Sequence, residues 1–248
     1  MTFMKRIFNA IFFLITHPVN ASKYYYEKII RKIKFWLRIK NAMLLGITFV
    51  EPNYIYKDTF DNSSILIDVG CASDPDLSKH MLNKYGLRAF GVDPTLKHAF
   101  ALRALEENTK GRFKHIQAAV TVKDGKITFY ETFDKESGSA VSHHSNATNE
   151  ATKSYEVESV SLKTLLARAG VTKVDFLKLD LEGAEYELLK NITAEDLKPF
   201  KQLFVEFHHH CTSYSKRDTK ATVQSLCDKG FRSFTLTDRD FLFFRTAV

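Results

Sequence analysis

The stretch that most constrains the fold is Val174-Asp175-Phe176-Leu177-Lys178-Leu179-Asp180-Leu181-Glu182-Gly183-Ala184-Glu185-Tyr186-Glu187-Leu188-Leu189. Its first half is a nearly unbroken apolar run carrying charges at Lys178 and Asp180, the pattern of a strand covered on both faces, as in a parallel sheet. Gly183 ends the run, and from Ala184 the spacing turns helical, with Ala184, Leu188 and Leu189 on one face. The segment predicts a strand, a tight turn and a helix. Period two sets Phe176, Lys178 and Asp180 on one side of the strand and Leu177, Leu179 and Leu181 on the other. A charge inside such a strand needs a partner, and Lys178 would hold Asp180 ionised at the carboxyl end, where open α/β sheets bind ligands. Asp180 is therefore either a site residue or half of a structural ion pair. Glu182 and Glu185 read as charges offsetting the dipole at a helix N-terminus.

Further strands precede and follow. Ser64 to Val69 is one, and Asp68-Val69-Gly70-Cys71-Ala72-Ser73-Asp74-Pro75 is the turn after it. Asp74-Pro75 reads as the N-cap and first residue of a helix reaching about Tyr85. Leu87 to Val92 is a second strand ending in Asp93, 21 residues beyond Ala72. A carboxylate there accepts hydrogen bonds from the two hydroxyls of a ribose or caps the helix expected over Leu96 to Leu105. Phe113 to Val120 is a third strand. Lys123-Asp124-Gly125-Lys126 signals a hairpin between Ala119-Val120-Thr121 and Ile127-Thr128-Phe129-Tyr130.

The polar stretch Glu136 to Ser154 reads as a long functional loop, with His143 and His144 in solvent. Val157 to Ala169 is strand then helix, closed by Gly170. Gln202 to Phe207 is a buried strand running into Glu206-Phe207-His208-His209-His210. Neighbours on an extended chain point to opposite faces, so the three histidines cannot all converge on a metal; no metal site is assigned, a divalent cation on the Asp180 and Glu206 carboxylates being the lesser alternative to acid-base chemistry. Glu206 and His208 share a face and meet Asp180 across adjacent strand ends. A helix over Thr219 to Lys229 precedes a terminal hairpin of Phe231 to Leu236 and Phe241 to Phe244.

Two parts of this pattern, Val174 to Leu189 and Phe204-Val205-Glu206-Phe207-His208, together resemble the signature of the FkbM-type S-adenosylmethionine-dependent methyltransferases. The resemblance covers about residues 60 to 245. It implies a Rossmann-like class I methyltransferase, an α/β fold with a mostly parallel seven-stranded sheet and an antiparallel last strand, plus an N-terminal helical extension. It also implies S-adenosylmethionine as cofactor, held by Asp68, Gly70, Cys71, Ala72 and Asp93, with Gln117, Ala118 and Ala119 near the adenine. Methyltransferases of this fold carry an acidic-x-G-x-G-x-G turn, whereas here Ala72 replaces the second glycine and Asp74 the third. That loss counts against a dinucleotide enzyme, whose pyrophosphate needs close backbone approach.

The family resemblance implies O-methyl transfer, with a sugar hydroxyl of a glycan, lipid-linked saccharide or glycosylated metabolite as acceptor. Asp180 and His208 are the candidates for orienting or deprotonating it, with Lys178 and Glu206 as supports. No Asn/Asp-Pro-Pro-aromatic motif points to amino-group transfer. The altered glycine turn leaves a rival, a non-catalytic module tethered by a basic leader.

Charge separates that leader from the body. Of the chain's net +7, residues 1–50 hold nine Lys or Arg against Glu27 alone, while residues 51–248 carry 27 basic and 28 acidic side chains. The expected division is thus an extension over 1–50 and a catalytic domain over 51–248, with no nucleic-acid groove in the body. Ile7 to Thr16 behind Lys5 and Arg6 resembles a signal-peptide core and is about half a spanning length. Against export stand three scattered cysteines, Cys71, Cys211 and Cys227, and an intracellular cofactor, so the expected location is cytoplasmic. Tyr24 to Leu45 is a basic amphipathic helix with Trp36. It meets either an anionic membrane surface through residues 1–45 or an apolar protein face.

Overall fold

The computed structural model describes residues 23–51, 53–132, 138–144 and 152–245; the apolar run Ile7 to Thr16 lies outside them. The chain forms two compact units, Met1–Thr48 and Phe49–Val248. The first contains helix α1 (Lys23–Leu44), on which Arg31, Lys32, Lys34, Phe35 and Leu37 are exposed. Strand β1 (Ile47–Val50) spans the boundary. Among the described residues, no helix is long and apolar enough to cross a membrane.

The second unit runs β2 (Tyr54–Lys57), β3 (Ile65–Val69), α2 (Asp76–Tyr85), β4 (Arg88–Val92), a single 3-10 turn at Leu96–His98, α3 (Ala99–Asn108), β5 (Phe113–Ile116), β6 (Ala119–Val120), β7 (Gly125–Thr132) and β8 (Gly138–Ser139). It continues through β9 (Thr152–Val160), α4 (Leu162–Ala169), β10 (Val174–Leu179), α5 (Glu185–Asn191), β11 (Phe200–Glu206), α6 (Lys216–Asp228), β12 (Arg232–Thr235) and β13 (Asp240–Phe244). Seven of these strands form the main sheet in the order β12-β13-β11-β10-β3-β4-β5. All neighbours are parallel except β13, which runs antiparallel to both β11 and β12. The last strand of the chain therefore inserts between two others, and the sheet is the mostly parallel, seven-stranded one that the resemblance implies.

Strand β10 sits at the sheet's centre because its sequence can be covered on both faces. Val174, Phe176, Leu177 and Leu179 are all fully buried. On one face Phe176 joins Tyr56, Phe60 and Tyr85, with ring centroids 5.5–6.3 Å apart. Truncating such a ring to alanine costs about 3–5 kcal/mol. Strand order reverses between β3 and β10, since β3 leads to β4 and β5 on one side while β10 leads to β11 on the other. The carboxyl ends of β3 and β10 therefore border the crevice in which such sheets bind ligands.

Three local expectations are corrected. The third strand splits, Phe113–Ile116 staying in the main sheet while Ala119–Val120 joins a smaller sheet of order β6-β9-β7-β8. No hairpin forms between β6 and β7, because β9 lies between them. It pairs antiparallel with β7 along its whole length, Gly125 opposite Ser159 through Thr132 opposite Thr152, and a two-residue β6 offers no ladder of that length. Asp124 instead braces the start of α4, whose N-cap is Ser161, accepting from Ser161 N and Thr164 Oγ1, both at 2.7 Å. Asp74 is not a helix cap either: α2 starts at Asp76 behind Pro75, and the Asp74 carboxylate pairs with Lys79.

Candidate active site

The turn after β3 presses backbone against backbone. Gly70 has φ +73°, and its N–H donates to Val92 O at 2.8 Å. A Cβ there would lie 1.9 Å from the carbonyl oxygen of Asp180, so only glycine lets the β3 and β10 ends close up. Ala72 takes a left-handed φ of +55°, which costs a non-glycine residue about 1–2 kcal/mol. Its N–H donates to Asp93 Oδ2 at 3.0 Å, which fixes the turn onto the end of β4. Asp93 Oδ1 accepts from Thr95 N at 2.9 Å and lies 3.2 Å from His98 Nδ1. Burial would raise the Asp93 carboxyl, but His98 and Thr95 outweigh it and hold the group below the usual carboxylate range.

Below this turn lies a buried charge cluster. Lys178 Nζ donates to Gly70 O at 2.8 Å and sits 3.3 Å from both Asp68 Oδ1 and Asp180 Oδ2. Asp68 Oδ2 accepts from the Ser78 hydroxyl at 2.7 Å. Burial alone would strip the lysine of its proton, yet Asp68 and Asp180 raise its pKa well above the ordinary value. Lys178 thus ties β10 to the turn after β3 as a permanent cation.

Asp180 follows the last residue of β10, with its side chain 24% exposed. Burial pushes its pKa up against the pull of Lys178 and His208. His208, just past β11, sets Nε2 3.5 Å from Asp180 Oδ1 and 3.6 Å from Glu182 Oε2. Its ring is anchored from behind by Glu185, which is fully buried. Glu185 Oε1 accepts from His208 N at 2.9 Å and lies 3.2 Å from Nδ1, while Oε2 accepts from Gly183 N at 2.8 Å. Burial would lower the His208 pKa, but Glu185 and then Asp180 and Glu182 lift it to about 9. Glu206 is pushed up to about 7 by burial and by Asp180.

Above these groups opens a cleft. Gly70, Ala72 and Asp93 form one wall, Ala118, Ala119, Val120 and Phe129 another, and Asp180, Leu181 and Glu182 the floor. The bare Gly70 backbone, the Asp93 carboxylate at the end of β4 and an apolar wall suit a nucleoside carrying a cationic tail. Asp93 Oδ2 keeps room for one more hydrogen bond beside that from Ala72.

Of the residues singled out by sequence, Asp68, Lys178, Asp180, Glu206 and His208 come together at the ends of β3, β10 and β11, and Gly70, Ala72, Asp93 and Ala118 line the cleft. Two do not reach it. Cys71 is buried against β4, 3.0 Å from where a Cβ on Gly91 would stand. Gln117 lines a neighbouring hollow with Pro94, Leu96 and Tyr155, because the chain changes sheets at this point.

Others escaped notice. Glu185 does stand in the first turn of α5, as a charge offsetting its dipole would, and it also positions His208. His144, expected in solvent, is 2% exposed and lies 3.0 Å from Glu182 Oε2 and 3.1 Å from Cys211 Sγ. The signal for Glu185 was present in its fixed spacing from Gly183; a polar loop gave none for His144. His209 turns away to Thr219, while His210 keeps its ring stacked 5.8 Å from that of His208 and meets Arg239.

Comparison with known proteins places this geometry. The chain matches the methyltransferase FkbM domain over residues 39–233. No curated protein matches it. Similar solved structures include a fibrillarin pre-rRNA processing protein from Methanococcus jannaschii, with 12% identity, 84% of this chain and 74% of that chain covered and a TM-score of 0.46. A fibrillarin from Aeropyrum pernix with natively bound S-adenosyl-L-methionine gives 13%, 84%, 74% and 0.45. A precorrin-6y C5,15-methyltransferase from Geobacter metallireducens gives 10%, 80%, 94% and 0.41. Matched over most of its length, the chain belongs to the FkbM family of methyltransferases, and its cofactor is S-adenosylmethionine.

Proposed function

We propose that this methyltransferase transfers its methyl group to oxygen, and that the acceptor is a sugar hydroxyl of a glycan, a lipid-linked saccharide or a glycosylated metabolite. S-adenosylmethionine, when bound, supplies a methyl group already activated by a sulfonium. The protein's own residues then have to align a hydroxyl, take its proton and exclude water. The observation that carries the reading is the Asp180 carboxylate, set at the cleft floor between Lys178 and His208. The carboxylate is 24% exposed as a side chain and keeps an oxygen, Oδ1, that makes no hydrogen bond among the described residues, so this group is the one to receive the hydroxyl proton. His208, locked by Glu185, orients the acceptor oxygen beside it. Lys178 and Glu206 set the field around the pair. The sugar class is supported by the family likeness of the two motifs.

The test is methyl transfer from labelled S-adenosylmethionine to glycans and lipid-linked saccharides, read by mass spectrometry as an added methyl on oxygen. Asp180→Asn should lower turnover by about 10²- to 10⁴-fold, the usual worth of a general base, while S-adenosylhomocysteine affinity stays within a few-fold. Methyl groups found only on nitrogen, or unchanged turnover in the variant, would refute the assignment.

Helix α1 is part of the same proposal. Its exposed Phe35, Leu37, Met43 and Leu44, interspersed with Arg31, Lys32 and Lys34, suit the surface of an anionic membrane, where a lipid-linked acceptor resides. Full-length protein should co-sediment with anionic liposomes and a chain lacking residues 1–50 should not; equal behaviour of the two removes this element.

A further inference from the structure

Three segments far apart in sequence bring one donor atom each to a common point beyond the cleft floor. His144 Nε2 lies 3.0 Å from Glu182 Oε2 and 3.1 Å from Cys211 Sγ, and all three donor atoms fall within 4.8 Å of one another. Around a tetrahedral zinc ion, nitrogen and oxygen ligands stand about 3.3 Å apart and nitrogen and sulfur about 3.5 Å. The observed spacings lie within half an ångström of both.

A single imidazole nitrogen here faces both a carboxylate and a thiol, whose S–H also reaches His208 O at 3.7 Å. A cation at the centre satisfies all three. The positions are also fixed from behind. Ser139 Oγ donates to Glu182 O at 2.8 Å, His144 N to Val141 O at 3.1 Å and Cys211 N to His208 O at 3.3 Å. Glu182 is held in a left-handed conformation, φ +49°, the kind of strain that persists where surrounding structure imposes it. Beside the trio, His208 Nε2 stands 3.6 Å from the same Glu182 oxygen, its Nδ1 backed by buried Glu185. His208 is thus a neighbour of the trio and not one of its three donors.

We propose that His144, Glu182 and Cys211 form a binding site for a zinc-class divalent ion, with an open position facing Asp180 and His208. The nitrogen, oxygen and sulfur donor set selects a borderline-soft metal over magnesium or calcium, which take oxygen ligands. Three protein ligands and one open position is the arrangement of ions that bind a substrate oxygen. The use of that position to hold the acceptor hydroxyl rests on the O-methyl transfer proposed above; the metal site itself does not.

The test uses full-length protein stripped of metal and titrated with Zn²⁺ alone, then with Co²⁺ alone. The expected result is one retained zinc per chain and, with cobalt, a thiolate-to-metal charge-transfer band in the near ultraviolet. Cys211→Ser should abolish the band, and His144→Gln should weaken binding at least about 10-fold. Wild-type protein that binds S-adenosylhomocysteine, and so is folded, yet retains no zinc and shows no band would overturn the proposal whatever the variants do. So would a Cys211→Ser protein that holds zinc as tightly as wild type. Asp180→Asn separates the two proposals: it should keep the metal while losing turnover, and retained turnover with metal bound would count against the transfer chemistry alone.

Discussion

Glu185 Oε1 accepts a hydrogen bond from the His208 amide at 2.9 Å and lies 3.2 Å from the same residue's Nδ1, joining the first residue of α5 to the end of β11. Replacing Glu185 with alanine leaves the amides of Gly183 and His208 without their acceptor and the imidazole without the carboxylate on its Nδ1, all inside the protein. Removing one partner of such a buried pair costs about 3–5 kcal/mol. In a chain of this size that is a fall in Tm of roughly 6–20 °C. Glu185→Gln keeps one oxygen acceptor and should fall between the alanine variant and wild type. Thermal melts of the three proteins decide it, and an alanine variant melting with wild type would mean Glu185 holds nothing.

Gly70 offers a steric test of the cleft. A methyl group there would stand 1.9 Å from the Asp180 carbonyl oxygen, in a backbone conformation that side chains avoid. Gly70→Ala should therefore cost several kcal/mol, a size reserved for overpacking and backbone strain, and should abolish S-adenosylhomocysteine binding. Gly86→Ala is the control. It has the same left-handed φ after α2, but its nearest contacts are at 3.8 Å, so it should lose only about 1 kcal/mol. Calorimetric binding that survives in the Gly70 variant would place the cofactor elsewhere.

The central strand, its turn and its helix could be read from Val174 to Leu189 because an apolar run followed by helical spacing is a local pattern. The meeting of Asp180 with His208 was also legible, since period two and parallel pairing of β10 with β11 put both at adjacent carboxyl ends. The small sheet was not. Lys123-Asp124-Gly125-Lys126 has turn composition, which says that the chain bends but not which distant strand it pairs with, and β9 won through length. Glu182 and Glu185 were read incompletely, and His144 wrongly, for one reason. A charged or polar side chain is buried only when its partners arrive, and here the partners come from residues 144, 182, 208 and 211, which no local window contains together.

Asp93 should contribute to acid sensitivity. Its folded pKa is below the ordinary value, so the stabilisation it provides is present above the unfolded value near about pH 4 and is lost as pH falls through the folded one. Asp93→Asn also weakens the acceptor for Ala72 N, Thr95 N and His98. The variant should be less stable than wild type near neutral pH, with a difference that shrinks below about pH 4. Denaturant midpoints across that range check it. A difference independent of pH would leave only the lost hydrogen-bond geometry, and no role for the charge.

Glu206 carries the opposite sign. It stands opposite Asp240 in the β11–β13 pairing, and burial and Asp180 push its pKa from an ordinary 4.5 to about 7. The folded protein therefore holds a proton there that the unfolded chain releases earlier, so the stability Glu206 contributes is full below the unfolded pKa and lost as pH rises through about 7. Glu206→Gln removes the ionisable group while keeping its shape. The variant should be insensitive to pH across this window and, above it, more stable than wild type by about 2 kcal/mol, allowing for partial exposure. Melting curves at acidic and mildly alkaline pH test this directly. If wild type and variant keep the same spacing at both, Glu206 titrates alike in the folded and unfolded chain, and neither burial nor Asp180 shifts it.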